Sequence, residues 1–303
     1  MPPRAQPAAT RESGLVVAAH SRRYRVELED GLTIDCMTRG KRSDVACGDH
    51  VRIARSGEGV GVIESIDERR TLFYRSDARR QKLIAANVTQ VVVVVAASPP
   101  YSDDLVNRCL VGAEHAGIKA IIALNKADLP EVAKASAALD LYRGLGYAVV
   151  QLSAKRDLAP LRANLATHIS VLVGQSGMGK STIINGLVPD AAARVSEISV
   201  ALGTGKHTTT HAELYRLDAT SAIVDSPGLQ EFGLHHLSLD DAAEAFVEFR
   251  AWLGHCRFRN CRHMKEPDCA VLAAAARGEI SQRRIAAYHR LAEELSRKRA
   301  EWA

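Results

Sequence analysis

A glycine-rich segment with one lysine and one serine is the strongest chemical signal in this 303-residue sequence. It runs from Gly174 to Ser181 and follows the short apolar run Ser170–Val173. Its glycines let successive backbone N–H groups turn towards an anion, and the helix expected next adds its positive N-terminal dipole. Lys180 would then reach the β- and γ-phosphates of a nucleotide, and the Ser181 hydroxyl would bind Mg²⁺. An ordinary glycine-rich turn between a strand and a helix is the alternative. The residues assigned to phosphate binding are Gly174, Gln175, Ser176, Gly177, Met178, Gly179, Lys180, Ser181 and Thr182.

A short turn after the apolar run Ser221–Val224 is expected to contact the same phosphates. It reads Asp225-Ser-Pro-Gly228. Asp225 can hold the water shell of Mg²⁺, and Gly228 can offer its N–H to the γ-phosphate. The next residue, Leu229, stands where Ras carries a water-orienting glutamine, and a leucine cannot polarise water.

The segment Gly203–His211 lies between these two motifs and has the residue types of a nucleotide-sensing switch. A threonine there must coordinate Mg²⁺ through its hydroxyl and contact the γ-phosphate through its N–H. Thr208, Thr209 and Thr210 are all candidates, and we assign the first two to nucleotide binding. His207 is the candidate for positioning the attacking water, because an imidazole exchanges protons near neutral pH. A contact with phosphate or RNA is an equal alternative for this histidine.

Two loops that follow apolar runs have the pattern of a guanine-binding site. In the first, Asn125-Lys-Ala-Asp128, the Asp128 carboxylate can accept hydrogen bonds from N1–H and N2–H of guanine, a pair that adenine lacks. Asn125 would tie this loop to the phosphate loop, and the stem of Lys126 would cover the purine. In the second loop, a backbone N–H would donate to guanine O6. Its residues are Ser153, Ala154 and Lys155.

Three of the six cysteines cluster with a histidine in the pattern of a metal site. The cluster consists of Cys256, Cys261, His263 and Cys269. Three thiolates and one imidazole form a standard tetrahedral zinc set, which leaves no open position for a catalytic water. We therefore predict one structural Zn²⁺, with three buried thiols and a surface histidine as the alternative. The remaining cysteines are scattered and are predicted to be small core residues; they are Cys36, Cys47 and Cys109.

The N-terminal part of the chain has the pattern of a small barrel. Alternating strands are expected at Tyr24–Glu29, Leu32–Met37, His50–Ala54 and Gly61–Ile66. About five short strands with no helical period favour an oligonucleotide-binding type of barrel. The following segment, Arg69–Ala86, is interpreted as a polar, basic connector.

The central part of the chain alternates strands and helices, which predicts a doubly wound sheet. Short apolar runs typical of buried strands are Val91–Ala97, Ala120–Leu124, Ala148–Leu152, Ser170–Val173, His211–Arg216 and Ser221–Asp225. Helices are expected at Asp103–Ala116, Glu131–Leu145, Leu158–Thr167 and Ser181–Leu187. The base-binding loops precede the phosphate loop, which is the reverse of the order in Ras-like proteins. The same sheet forms if the chain is circularly permuted, with the helix Leu158–Thr167 spanning the join.

Charge and hydropathy limit the classes of function that fit this chain. Hydrophobic residues make up 47% and charged residues 25%, as in soluble globular proteins. The longest apolar run, Val91–Ala97, is too short to span a membrane, and the N-terminus lacks a signal-peptide core, so neither secretion nor membrane insertion is expected. Net charge is +3 over residues 1–80, −4 over residues 81–249 and +6 over residues 250–303. The two basic ends are where a polyanion would bind, with ordinary solvated surfaces as the alternative.

Taken in this order, the motifs resemble those of the circularly permuted small ribosomal subunit biogenesis GTPases of the RsgA/YjeQ type. The resemblance rests on the base loop at Asn125, the phosphate loop, Gly205–Thr210, Asp225–Gly233 and the cysteine cluster. It implies a multidomain α/β fold with an N-terminal OB-like barrel, a permuted P-loop GTPase sheet with helices on both faces, and a C-terminal helical zinc-binding domain. It also implies a cytoplasmic factor that binds GTP or GDP with Mg²⁺, contacts 16S rRNA on the 30S subunit, and hydrolyses GTP when that subunit stimulates it.

We accordingly divide the chain into a disordered arm (1–13), an RNA-binding barrel (14–75), a GTPase domain (82–240) and a zinc-binding domain (241–303), and we expect a monomer. A kinase-like phosphotransferase is a second hypothesis, against which Asp128 and the lack of a recognisable acceptor pocket argue. A third is an RNA-binding module with a vestigial nucleotide site, against which the intact Lys180, Ser181 and Asp225 argue.

Overall fold

The N-terminal residues form a closed five-stranded barrel in the computed structural model, which describes residues 11–40, 44–77, 80–189 and 212–300, with side chains to residue 297. The strands are β1 (Arg11–His20), β2 (Arg23–Leu28), β3 (Thr33–Thr38), β4 (His50–Gly57) and β5 (Val60–Ile66). They pair in the order β1-β2-β3-β5-β4, and β4 closes the barrel on β1. Only β3 and β5 run parallel among these pairs. This is the predicted OB-like barrel.

Strand β1 begins earlier than the sequence indicated. Residues 11–13, which we placed in the disordered arm, pair with β4, and residues 1–10 lie outside the described part of the chain. The polar side chains of Arg11 and Glu12 hide the alternation of apolar and polar residues from which a strand is predicted. They point to the barrel surface, where they form ion pairs with Glu64 and Arg55.

A β-hairpin replaces the polar connector that we predicted after the barrel. It consists of β6 (Leu72–Ser76) and β7 (Gln81–Ala86). Phe73 on β6 is buried, and its ring stacks on that of Phe232 at a centroid distance of 5.3 Å. The prediction was wrong because one large apolar side chain anchors the hairpin, while the charged residues around it mask the signal.

The central residues form a six-stranded sheet with helices on both faces, as predicted. Its strands are β8 (Gln90–Ala96), β9 (Lys119–Asn125), β10 (Ala148–Gln151), β11 (Ile169–Val173), β12 (Ala212–Arg216) and β13 (Ala222–Asp225). The spatial order is β10-β9-β8-β11-β13-β12, and only β12 is antiparallel within it. Strand β11 leads into the phosphate loop and lies between β8 and β13, although it follows β10 in the chain. This arrangement is the permuted connection.

Five helices accompany this sheet in the described residues. They are α1 (Asp103–His115), α2 (Val132–Ala138), α3 (Asp140–Gly144), α4 (Ala159–Leu165) and α5 (Lys180–Leu187). The single helix expected over residues 131–145 is two short helices. They meet at buried Leu139, whose N–H bonds to the carbonyl of Ser136 in a tighter turn.

Alternate residues of the central strands supply two separate hydrophobic cores. Val92 and Val94 of β8 pack with α4 and α5 on one face, and Val91, Val93 and Val95 pack with α1 on the other. The second face also receives the C-terminal helices, which are α6 (Leu239–Ala245), α7 (Ala270–Ala276) and α8 (Gln282–Ala300). In the part of the chain that the structure describes, no helix is long and apolar enough to cross a membrane.

The barrel and the central sheet are continuous through one strand. Besides its barrel partners, β1 pairs with β12 through Ala18–Glu213 and Ala19–Ala212, which produces a sheet of eleven strands. Arg216 and Glu27 add an ion pair across the same junction. The barrel is therefore attached to the strand that directly follows the predicted switch segment.

Candidate functional site

The phosphate loop connects β11 to α5, and its backbone requires glycine at several positions. Gly174, Gly177 and Gly179 have φ values of +148°, +83° and +95°. A Cβ at Gly174 would lie 2.3 Å from the carbonyl oxygen of Val94, and one at Gly179 would lie 2.2 Å from Nδ2 of Asn125. The glycines thus permit both the left-handed turns and the close approach of neighbouring strands.

Lys180 begins helix α5 and directs its ammonium group into the phosphate loop. Its side chain is buried, and Nζ donates hydrogen bonds to the carbonyls of Gly174 at 2.7 Å and Gln175 at 3.1 Å. Burial lowers the pKa of Lys180, and the nearby Asp225 carboxylate opposes that shift. The loop therefore holds the Lys180 ammonium group at the predicted phosphate-binding position. Its partial burial strengthens the attraction between this cation and an anion.

The base loop is fixed to the phosphate loop by direct contacts. Asn125 Nδ2 donates to the carbonyl of Met178 at 2.9 Å, and its Oδ1 accepts from the Ala154 N–H at 3.0 Å. Lys126 adopts a left-handed φ of +59°, and its Nζ donates to the carbonyls of Ser98 and Gly177 at 2.7 and 2.8 Å. One asparagine thereby joins three loops that are distant in the sequence.

Asp128 lies at the exposed end of this arrangement. The Ser153 hydroxyl donates a hydrogen bond of 2.6 Å to its Oδ1, and this bond is the main reason that the pKa of Asp128 is lowered. The carboxylate is therefore ionised, oriented and free to accept further hydrogen bonds from a base edge. From the sequence we predicted only that a backbone N–H of the second loop would bind guanine. The hydrogen bond from the Ser153 hydroxyl to Asp128 was not predicted.

The turn after β13 brings the second phosphate-contacting motif beside the first. Asp225 is buried at the end of the strand, and the Ser226 hydroxyl donates to the Leu172 carbonyl at 2.5 Å. A Cβ at Gly228 would lie 3.6 Å from Nζ of Lys180. Leu229 is 4% exposed and donates its N–H to the Gly174 carbonyl at 3.1 Å. Its side chain belongs to the core and does not face the cleft.

These loops enclose one open cleft at the carboxyl edge of the parallel strands, where ligands of such sheets bind. Its walls are formed by Lys126, Lys155, Ser176, Gly177, Gly179, Lys180, Ser181, Thr182, Ser226 and Gly228. The Ser181 hydroxyl and the Asp225 carboxylate are hard oxygen donors of the kind that Mg²⁺ prefers. The predicted His207, Thr208, Thr209 and Thr210 lie outside the described residues. Gln175 has a role that the sequence did not suggest, since its Oε1 accepts from the Ser102 N–H that precedes α1, at 2.7 Å.

The cysteine cluster assembles at the start of α7, in a segment from Cys256 to Cys269 that we call the metal knuckle. The four candidate ligand atoms, from Cys256, Cys261, His263 and Cys269, all lie within 4.8 Å of one another. Nδ1 of His263 is 3.5 Å from Sγ of Cys256 and 3.4 Å from Sγ of Cys269. Three sulfurs and one nitrogen at this spacing match the donor set of a closed structural zinc site.

The groups around the metal knuckle favour a bound cation. Burial lowers the pKa of His263, which keeps the imidazole in its neutral, ligating form. Burial also raises the pKa of the Cys261 thiol to about 12, so a cation is what would stabilise a thiolate there. The turn is supported by Glu266: burial raises the pKa of this group, but N–H donors from Arg262, Met264 and Lys265 lower it to about 2.

Known proteins share both the sequence and the fold. The model of the RsgA GTPase family matches residues 66–235. A relative from Nitrosospira multiformis named small ribosomal subunit biogenesis GTPase RsgA is 51% identical over 94% of this chain and 92% of its own length. One of the same name from Neisseria meningitidis is 49% identical over 94% of this chain and 92% of its own.

Two solved structures resemble the whole chain. The crystal structure of YjeQ from Thermotoga maritima matches with a TM-score of 0.72 and 31% identity, over 95% of this chain and 99% of the other. YloQ, described as a circularly permuted GTPase, matches with a TM-score of 0.68 and 27% identity, over 98% and 99%. The permuted order of motifs is thus a shared property and not a peculiarity of this sequence.

Proposed function

This chain belongs to the RsgA family of GTPases and hydrolyses GTP, and from that premise we propose that it acts on the small (30S) ribosomal subunit during late maturation of that particle. The named relatives are small-subunit biogenesis GTPases, which supports the choice of particle. The observation that carries the guanine-nucleotide part of the proposal is the contact of Asn125 with Met178, because it ties the loop that contains Asp128 to the phosphate loop.

We propose a division of labour among the loops that line this cleft. The N–H groups of Gly174–Ser181 surround the phosphates, and Lys180 neutralises them once its hydrogen bonds to the Gly174 and Gln175 carbonyls are exchanged for phosphate oxygens. Asp128, held by Ser153, selects guanine over adenine. The Gly228 N–H and the threonines of the switch, Thr208 and Thr209, are proposed to report whether a γ-phosphate is present.

Two metal ions are part of the proposal. Ser181 and Asp225 would hold Mg²⁺, which neutralises charge that develops on the phosphates during hydrolysis. The metal knuckle would hold one Zn²⁺, which has no open position and serves to fix the fold of its loop. Both donor sets suit these ions: hard oxygens for the first, and thiolates with an imidazole for the second.

His207 is proposed to position the attacking water when the 30S subunit binds. Leu229 occupies the place of the water-orienting glutamine of Ras, and its side chain is buried in the core, so it cannot serve. The free protein should therefore turn over slowly, and the subunit is expected to arrange the switch segment that contains His207.

Docking on the particle is assigned to the two basic ends of the chain. Residues 1–80 and 250–303 carry net charges of +3 and +6, which suits contact with 16S rRNA. We propose that the protein works as a monomer in the cytoplasm. Because rRNA phosphates would supply much of the attraction, stimulation of GTP turnover should weaken as salt rises.

The test is GTP turnover with and without purified 30S subunits. Wild-type protein should be stimulated, His207→Ala should bind GTP and the subunit but lose the stimulation, and Asp128→Asn should exchange GTP preference for xanthosine triphosphate. Each lost base contact costs on the order of tenfold in affinity. A wild-type protein that binds ATP as well as GTP would contradict the base assignment. If 30S subunits stimulated GTP turnover by His207→Ala as strongly as by wild type, a group other than His207 would have to position the water.

A further inference from the structure

The metal knuckle displays an exposed aromatic ring that the proposed function does not use. Four large hydrophobic side chains are strongly exposed in the described residues, and Phe258, at 42%, is the aromatic one among them. The other three lie in or beside strands β3 and β5 of the barrel; they are Leu32, Met37 and Val60. Single exposed apolar side chains are common on protein surfaces, so the case for a ligand at Phe258 depends on the groups around its ring.

The position of Phe258 is fixed by the fold of the knuckle. Phe258 lies between the metal-ligand candidates Cys256 and Cys261 in the sequence, and the Cys261 N–H donates to the Phe258 carbonyl at 3.2 Å. The neighbouring Arg257 donates its N–H to the Asp268 carbonyl at 3.2 Å and forms a 3.0 Å ion pair with the Asp268 carboxylate. The ring is therefore presented on an ordered turn, and little conformational entropy is lost when a ligand packs on it.

Arginine and lysine side chains are frequent in the segment around Phe258. The Arg257 guanidinium lies 5.6 Å from the centroid of the Phe258 ring, a cation–π contact. Further exposed cations on the knuckle are Arg259, Arg262 and Lys265. The carboxylate of Glu266 faces inward, where it accepts three backbone N–H groups. An exposed aromatic ring in a segment rich in cations matches an unpaired nucleobase with phosphates beside it.

We propose that Phe258 is a stacking platform for one unpaired base of RNA, and that Arg259 contacts a phosphate beside that base. This inference rests on the proposed function, since rRNA of the small subunit would supply the unpaired base. It makes the metal knuckle a reader of single-stranded RNA, because a base inside a duplex offers no free face. A metal bound by the four candidate ligands would contribute by holding the turn that carries the ring.

The experiment uses the full chain loaded with zinc and an RNA single strand of about twelve nucleotides that carries 2-aminopurine. Phe258→Ala should weaken binding about tenfold and abolish the fluorescence quenching that stacking causes, while the slope of affinity against salt stays unchanged. Phe258→Trp should restore both signals, and Phe258→Leu should not, because leucine is apolar but cannot stack. Arg259→Ala should instead lower the salt slope by about one phosphate contact. A matched RNA duplex should bind equally to wild type and Phe258→Ala.

Zinc content and thermal midpoint, measured for each variant, separate a lost contact from a lost fold. The proposal is overturned if Phe258→Ala or Phe258→Leu binds the single strand as wild type does. It is also overturned if Phe258→Ala binds RNA normally but loses affinity for 30S subunits, because the ring would then contact a ribosomal protein. The naked-RNA result is independent of 30S-stimulated GTP turnover, so failure of the proposed function would be recognised separately.

Discussion

The barrel and the C-terminal helical region both flank the nucleotide-binding sheet, but they are attached to it in different ways. The barrel has its own core, to which residues such as Val16, Ile34 and Ile53 contribute. The C-terminal region has none, because Phe249, Tyr288 and its other buried side chains belong to the same core as β8 and α1. A region with its own hydrophobic core can unfold by itself, whereas a region that shares its core with another region cannot.

The contacts at the two junctions reinforce this difference. The barrel is joined through backbone pairing of β1 with β12, through the exposed pair of Arg216 and Glu27, and through a few side chains such as Cys47 and Val17 that pack in or against the sheet core. The C-terminal region is joined through Arg284, which is fully buried, pairs with Glu248 and also bonds to Asn107 of α1. Movement of the C-terminal region should therefore be transmitted to the nucleotide-binding sheet more directly than movement of the barrel.

The largest expected effect comes from the metal. Cys261→Ala removes one of the four proposed ligands, so bound zinc should fall from about one equivalent to nearly none. Because Cys261 and Cys269 pack in the shared core, hydrogen exchange should accelerate in α7, α8 and also α1, while the barrel strands stay protected. Cys36→Ala, which removes a buried thiol from the barrel, is the matched control and should keep its metal. Absence of zinc from the wild-type protein would contradict this prediction.

The buried ion pair gives the next effect. Arg284→Met leaves the Glu248 carboxylate buried without its partner, which should lower the free energy of unfolding by about 3–5 kcal/mol in urea titrations. Adding Glu248→Leu should recover most of that loss. Arg277→Met, which breaks an exposed pair with Glu279, should cost less than about 1 kcal/mol. Equal losses for the two single variants would remove the expected difference between a buried and an exposed ion pair.

A mutation that creates a cavity in the barrel core tests whether the barrel unfolds separately from the nucleotide-binding sheet. Ile53→Ala should cost about 2–5 kcal/mol, because Ile53 is fully buried in the barrel core. The loss should appear as faster hydrogen exchange in β1–β5, with affinity for GTP unchanged. If the variant lost GTP affinity, or if α1 lost protection as well, the barrel would have to be regarded as part of the same folding unit.

The smallest effect concerns the exposed pair at the barrel junction. Arg216→Ala should lower the free energy of unfolding by less than about 1 kcal/mol, since both partners are partly solvated. The deficit should shrink further at high salt, where exposed charges are screened. A loss comparable to that of Arg284→Met, measured in the same urea titration, would show that side chains rather than strand pairing hold the barrel in place.

The sequence alone determined the order of the motifs and much of the fold. Glycine and lysine spacing located the phosphate loop, apolar runs located the parallel strands, and their order revealed the permutation. The carboxyl ends of parallel strands lie at the same edge of the sheet. Motifs that directly follow different parallel strands therefore come together at that edge. The cysteine spacing located the metal knuckle in the same way, since its four ligand candidates lie in one short loop.

The tertiary structure alone decided which core each region belongs to and how the regions connect. Periodicity in a sequence reports that a side chain is buried but not what it is buried against, so the sharing of Tyr288 with the sheet core could not be predicted. Backbone pairing leaves no side-chain signature, which is why the extension of β1 and its bond to β12 were missed. Phe73, one apolar residue in a basic segment, acquired meaning only when Phe232, far away in the chain, was brought against it.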